Sequence, residues 1–224
     1  MGAAGDFPID LVILGGVALF LILRLRSILG RREGFERPTD AQGPDPRTRE
    51  PTAMRPAAAA SAPALASSRI LPDPATEAGQ ALAAMCAIDP GFHPEQFLDG
   101  AEGAFRLIVA AFAAGDRVGL RSLLSDDTYR AFETAISGRE TAGETQRTEI
   151  HGVPSVTIEQ AALHDRTASI IVRFVSDQVN ITLDHAGLPV VGTDAVTEIT
   201  DLWTFERMLG NSDPSWRLAA ARSA

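Results

Sequence analysis

The spacing of the apolar residues changes once along this chain, and that change sets its fold class. Up to Gly138 they recur at the helical period, and after Pro154 they alternate. Phe97, Ala101, Ala104, Phe105, Ile108 and Phe112 form one broad helical face, with Pro94 placed for its start and Gly115 for its end. A short helix is expected before it over Ala75–Ile88. After it come a second helix carrying Leu120, Leu123 and Leu124, and a third capped by Ser125 with Phe132 and Ile136 inward. Gly138 should lie past the end of that third helix, and 139–147 should be a polar connector. Alternation then runs through Val156 and Ile158, Ala168 to Phe174, Val179 to Leu183, Ile199 to Phe205 and Trp216 onward. Turn residues stand at Asp184–Pro189 and Gly210–Pro214. Helices followed by a meander predict an α+β domain, N-terminal helices packed on a curved antiparallel sheet.

Ahead of this pattern lies a segment of another kind. Leu11 to Leu23 is uncharged, and Arg24, Arg26, Arg31, Arg32 and Arg37 follow it. Thirteen residues fall short of the ~20 that cross a bilayer, but the count recovers over 7–29 if the two arginines extend to the headgroups. Leu11, Leu14, Phe20 and Leu23 would then face lipid, with Arg24, Arg26, Arg31 and Arg32 anchoring the inner end. A cleaved signal needs its basic residues before the apolar core, and an in-plane amphipathic helix is the remaining alternative. The expectation is a retained single-pass anchor in a bacterial inner membrane, N-terminus outside and domain in the cytoplasm. Residues 1–6 would be the outer tail. Residues 30–75, interrupted by eight prolines and by the run Ala57–Ala60, read as a disordered linker, leaving 76–224 as the domain.

Charge narrows the partners. All 20 basic residues are arginine and the formal net charge is -9. Residues 88–224 hold eleven Arg against twenty Asp and Glu, so nucleic acid is excluded as a partner. Cys86 is the single cysteine, which leaves no disulfide framework and no cysteine-based metal site. The four histidines show no ligand spacing and no Ser-His-Asp order, and no phosphate loop is present; catalytic, metal and cofactor residues are expected to be absent.

Several pieces together carry a family likeness. They are Ala104-Phe105 with Ile108, Ala111-Phe112 and Gly115-Asp116; Leu120 with Leu123-Leu124-Ser125; Phe132 with Ala135-Ile136 and Arg139-Glu140; and Val172-Arg173-Phe174. Asp201-Leu-Trp-Thr-Phe205-Glu-Arg207 and Ser212-Asp213-Pro214 with Trp216-Arg-Leu218 complete the set. Residues 88–224 thereby resemble the Tim-forty-four-like domain, and the N-terminal apolar run resembles that family's bacterial membrane-anchored adaptor branch. The resemblance implies a cystatin-like or nuclear-transport-factor-two-like cone. Its founding member tethers the mitochondrial import motor to the inner-membrane translocase and contacts lipid, and some relatives anchor ribosomes. Two departures stand out: no long chaperone-recruiting region precedes the domain, and the domain is acidic.

The function expected is a non-enzymatic, membrane-anchored adaptor. Its partners would be the bilayer, through the N-terminal helix, and a protein (a translocase, a chaperone or a membrane-protein complex), with self-association also open. The rival is a cone-fold enzyme or a protein binding a lipid or another small hydrophobic ligand. For that rival, Phe105, Phe112, Phe174, Asp201 and Trp203 are the candidate pocket lining. Asp201 shares its strand face with Trp203 and Phe205, so it either pairs with Arg173 or Arg207, is turned out by a bulge, or stands as a carboxylate in the pocket. By default the aromatic set is core. The pair Gly100 and Gly103 falls within a helical period and is read as permitting close helix packing.

Overall fold

The structure, a computed structural model, describes residues 67–224; the residues expected to form the anchor, Leu11 to Arg32, and most of the expected linker lie outside them. Strand β1 (Ser68–Ile70) comes first, followed by helices α1 (Glu77–Ile88), α2 (Pro94–Ala114), α3 (Arg117–Leu123) and α4 (Asp126–Thr141). Strands β2 (Thr145–His164), β3 (Thr167–Leu183), β4 (Pro189–Met208) and β5 (Arg217–Ser223) complete the chain. The result is an α+β fold with a five-stranded sheet in the order β1-β2-β3-β4-β5.

Each helix starts and stops for a local reason. The Thr76 hydroxyl accepts from Gly79 N–H at the head of α1. Gly79 must be glycine, since a Cβ there would sit 2.3 Å from the Asp73 carbonyl oxygen. Pro94 opens α2, and Gly115 closes it in the left-handed region at φ 71, its N–H bonded to Ala111 and Phe112 carbonyls. Asp116 and Ser125 cap α3 and α4, as their side-chain oxygens accept from Gly119 and Thr128 N–H.

The core lies between one sheet face and α2. Inward residues Val156 and Ile158 of β2, Ala168, Ile170, Val172 and Phe174 of β3, Trp203 and Phe205 of β4 and Leu218 of β5 meet Leu98, Phe105, Ile108 and Val109 of α2 and Phe132 and Ile136 of α4. Phe105 and Phe174 stack at 4.5 Å, and Trp203 leans on both at 4.8 and 5.7 Å. Each such ring, fully buried, contributes up to about 3 kcal/mol by area, with a further ~0.5–1.5 kcal/mol for well-oriented aromatic pairs. Register shifts at Ile150/Gly152, Gly152/Ser155 and Ile158/Gln160 add local twist to β2, and Pro154 sits among them on a strand that β1 covers only briefly.

Three boundaries differ from the sequence reading. The sheet is mixed, because β1 pairs in parallel with Ser155–Thr157 of β2. Residues 68–75 therefore belong to the domain rather than to a linker ending at 75. Helix α4 runs through Gly138 to Thr141, where Gly143 at φ 69 reverses the chain, and β2 begins at Thr145 inside the stretch expected as a polar connector. Isolated glycine is tolerated in a helix whose other residues pack, and Arg139 is held there by donating to the Phe112 and Ala113 carbonyls at 2.8 and 3.2 Å.

Candidate functional site

The outward flank of α2 is built from small residues. Phe97, Ala101 and Phe105 turn toward the sheet, while Gln96, Gly100, Gly103 and Leu107 recur at i, i+4, i+7 and i+11 on another face. Neither Gly100 nor Gly103 is crowded, since a Cβ on either would meet no heavy atom within 4 Å. They leave space rather than allow close helix packing. That space is a groove of about 560 Å³. Phe97, Ala101 and Phe205 lie along its inner side, Ser122 and Leu123 of α3 line one part, and Ser215 and Trp216 another. Leu107 stands 60% exposed at its edge.

The loop between β4 and β5 fixes Trp216 over this groove. The Asp213 carboxylate accepts from Ser215 N–H at 2.9 Å, and hydrogen bonds from Ser215 and then from Arg217 hold its carboxyl below the usual range. Trp216 packs 4.7 Å from Phe97 and 5.6 Å from Phe92. The Arg207 guanidinium lies 5.2 Å over the Trp216 ring, donates to the Pro214 carbonyl and pairs with Asp89. The Asp-Pro-x-Trp sequence thus works as a brace that holds the Trp216 indole at the groove.

The adjoining flank of α2 is charged and clamped. Arg69 of β1 donates to Asp99 at 3.0 Å and pairs with Glu102 at 2.6 Å, and Arg106 closes on Glu102 at 2.9 Å. Burial would raise the Glu102 pKa; hydrogen bonds from Arg106 and Ser67 and the charges of both arginines outweigh it and hold the carboxyl below its ordinary value. This clamp fastens the entering chain to the helix that carries the groove. A second depression of about 670 Å³, between Asp73, Thr76 and Glu77 and the 159–162 stretch of β2, is more polar.

The five candidate lining residues are not at either depression. Phe105, Phe174 and Trp203 are closed core, and Phe112 packs 5.1 Å from Phe132 beneath the Arg139 guanidinium. Burial lowers the Arg139 pKa, with Glu140 opposing. Asp201 is fully buried on the face of Trp203 and Phe205, opposite Phe174 in register, as alternation predicted. Arg173 carries an ion pair with Glu159 and Arg207 one with Asp89. No cluster of three or more metal-ligating side chains occurs among the described residues, and none of their helices is long and apolar enough to cross a membrane. The sequence reading missed Leu107 and Trp216 as groove residues. The available signal was that Gly100, Gly103 and Leu107 fall off the Phe97–Phe105–Ile108 stripe.

The model of the family described as the Tim44-like domain matches residues 78–223, nearly the whole described fold. The chain belongs to this family. No curated protein matches it. Among solved structures, the intermembrane space region of chloroplast protein ARC6 is 8% identical, covers 56% of this chain and 94% of its own, and has a TM-score of 0.42. An NTF2-like family protein from Streptomyces avermitilis gives 13%, 58%, 96% and 0.35. An NTF2-like protein from Rhodospirillum rubrum gives 16%, 55%, 95% and 0.28. These likenesses are remote. In this Tim44-like domain the Trp-Thr-Phe stretch supplies core and the Asp-Pro-x-Trp stretch supplies the brace.

Proposed function

We propose that the chain is a membrane-anchored adaptor, without catalytic activity of its own, that holds a protein partner at the cytoplasmic face of a bacterial inner membrane. The role is associated with protein translocation or membrane-protein assembly, as membership of the Tim44-like family suggests. The observation that carries the reading is the groove along α2: apolar, open, and walled by an exposed leucine and a braced tryptophan. Such a surface suits an apolar partner segment, for instance one helix face laid into a groove. Anchoring raises the domain's local concentration at the membrane, so a modest affinity is sufficient.

Deletion of residues 1–30 tests this reading. The shortened chain should move to the soluble fraction and lose partner enrichment at the membrane while its unfolding transition stays in place. The reading is overturned if the shortened chain restores function fully and Asp201→Asn abolishes it with the fold intact, for then the buried carboxylate carries chemistry.

A further inference from the structure

The groove and the entry of the chain into the domain lie on adjoining flanks of the same helix. The Ser67 side chain bonds Glu102, and Arg69 reaches both Asp99 and Glu102. Asp99 and Glu102 each stand one residue before a groove glycine. The residues just ahead of Ser67 are Ala57-Ala-Ala-Ala-Ser-Ala-Pro-Ala-Leu-Ala66, uncharged and almost all small. Rounding one helix, ~10 Å across, takes about three extended residues, so the rest of this stretch has the length to lie along the groove. Methyl groups match a surface whose two glycines leave open space, and the lack of charge suits its apolar walls.

We propose that residues 57–66 dock into the groove of their own domain and cover it until a partner displaces them. A segment joined to its site by so few residues acts at an effective concentration on the order of millimolar, so a dissociation constant of about 0.1 mM covers the groove for nine-tenths of the time. The partner's apparent affinity falls by the fraction of time the groove is covered. Docking stands on the geometry alone; its regulatory meaning rests on the groove being the partner site proposed above.

The test uses the full chain in lipid nanodiscs, with Cys86→Ala and Leu107→Cys. A bulky maleimide is the probe, and a second chain has residues 57–66 replaced by glycine and serine at the same length. Self-cover for nine-tenths of the time makes labelling roughly tenfold faster in the replaced chain. Equal rates would overturn the proposal. With Ala60→Cys added, oxidation should give a monomeric crosslink to position 107; crosslinked dimers alone would assign the segment to a second copy and also overturn it. Partner capture is read separately with Gly103→Leu. Equal labelling with Leu-sensitive capture ends self-cover and leaves the adaptor reading standing, and unequal labelling with insensitive capture does the reverse.

Discussion

Filling the groove without touching the core is done by Gly103→Leu. Gly103 lies inside the 21-residue helix α2, and a Cβ there has no heavy atom within 4 Å. Helix-interior glycine costs about 0.5–1 kcal/mol relative to alanine, and leucine is nearly as good a helix former as alanine. In the chain whose residues 57–66 are replaced by glycine and serine, where no self-cover is lost, the variant should therefore be more stable by about 0.5–1 kcal/mol. With a urea slope of ~2 kcal/mol/M this raises the midpoint by a few tenths molar. The new side chain occupies space that a partner segment would fill, so capture from membranes should fall while stability rises. Gly79→Ala is the contrast, because its Cβ would press on backbone at 2.3 Å and the variant should unfold earlier. A Gly103→Leu chain that is destabilised by more than about 1 kcal/mol, or that captures partner undiminished, refutes the reasoning.

Other perturbations probe other parts of the account. Trp203→Ala removes a ring that is 1% exposed and packed against both Phe105 and Phe174, and should cost ~3–5 kcal/mol in chemical denaturation. Glu102→Gln should cost about 1–2 kcal/mol at neutral pH. The folded-state pKa of Glu102 is depressed, so its contribution is complete above the ordinary carboxylate range and fades as pH falls through the folded value; the variant should lose less stability on acidification, measured by melts from pH 7 to 3. Limited trypsin digestion should cut at Arg47 or Arg49, since Arg55 precedes a proline that trypsin does not accept, and spare Arg69, which is paired in β1, with N-terminal sequencing of the core as the check. In a Cys86→Ala background, a cysteine at Ala3 should react with an impermeant thiol reagent in intact cells, and one at Arg47 should not. The reverse pattern would invert the proposed topology.

The helices are legible in the sequence because their signals are local. Pro94, Gly115 and Ser125 mark boundaries since each acts within one turn of chain, and the same holds for the alternation that places Asp201 inward beside Trp203. Strand β1 is not legible in this way. Three residues with an arginine in the middle carry no period, and what holds them is β2 and α2, distant in sequence. The start of β2 is hidden for a related reason, since Arg147 pairs with both Glu149 and Asp194 across the sheet surface and the stretch resembles a polar loop. The aromatic residues named as pocket lining are recognisable as a cluster, but only packing shows that Phe105 and Phe174 close on each other and leave no cavity between them. The groove needs the converse inference, that two helical glycines facing away from the core mark missing volume at a surface.

The adaptor account is tested most directly by a photo-crosslinking side chain at Leu107, 60% exposed at the groove's edge, compared with one at Val118, 85% exposed and outside the groove lining. Both full-length chains are irradiated in native membranes. The account predicts a discrete crosslinked protein from position 107, absent from position 118 and lost when Gly103→Leu is added. The same bands from both positions, or none from either, would contradict it.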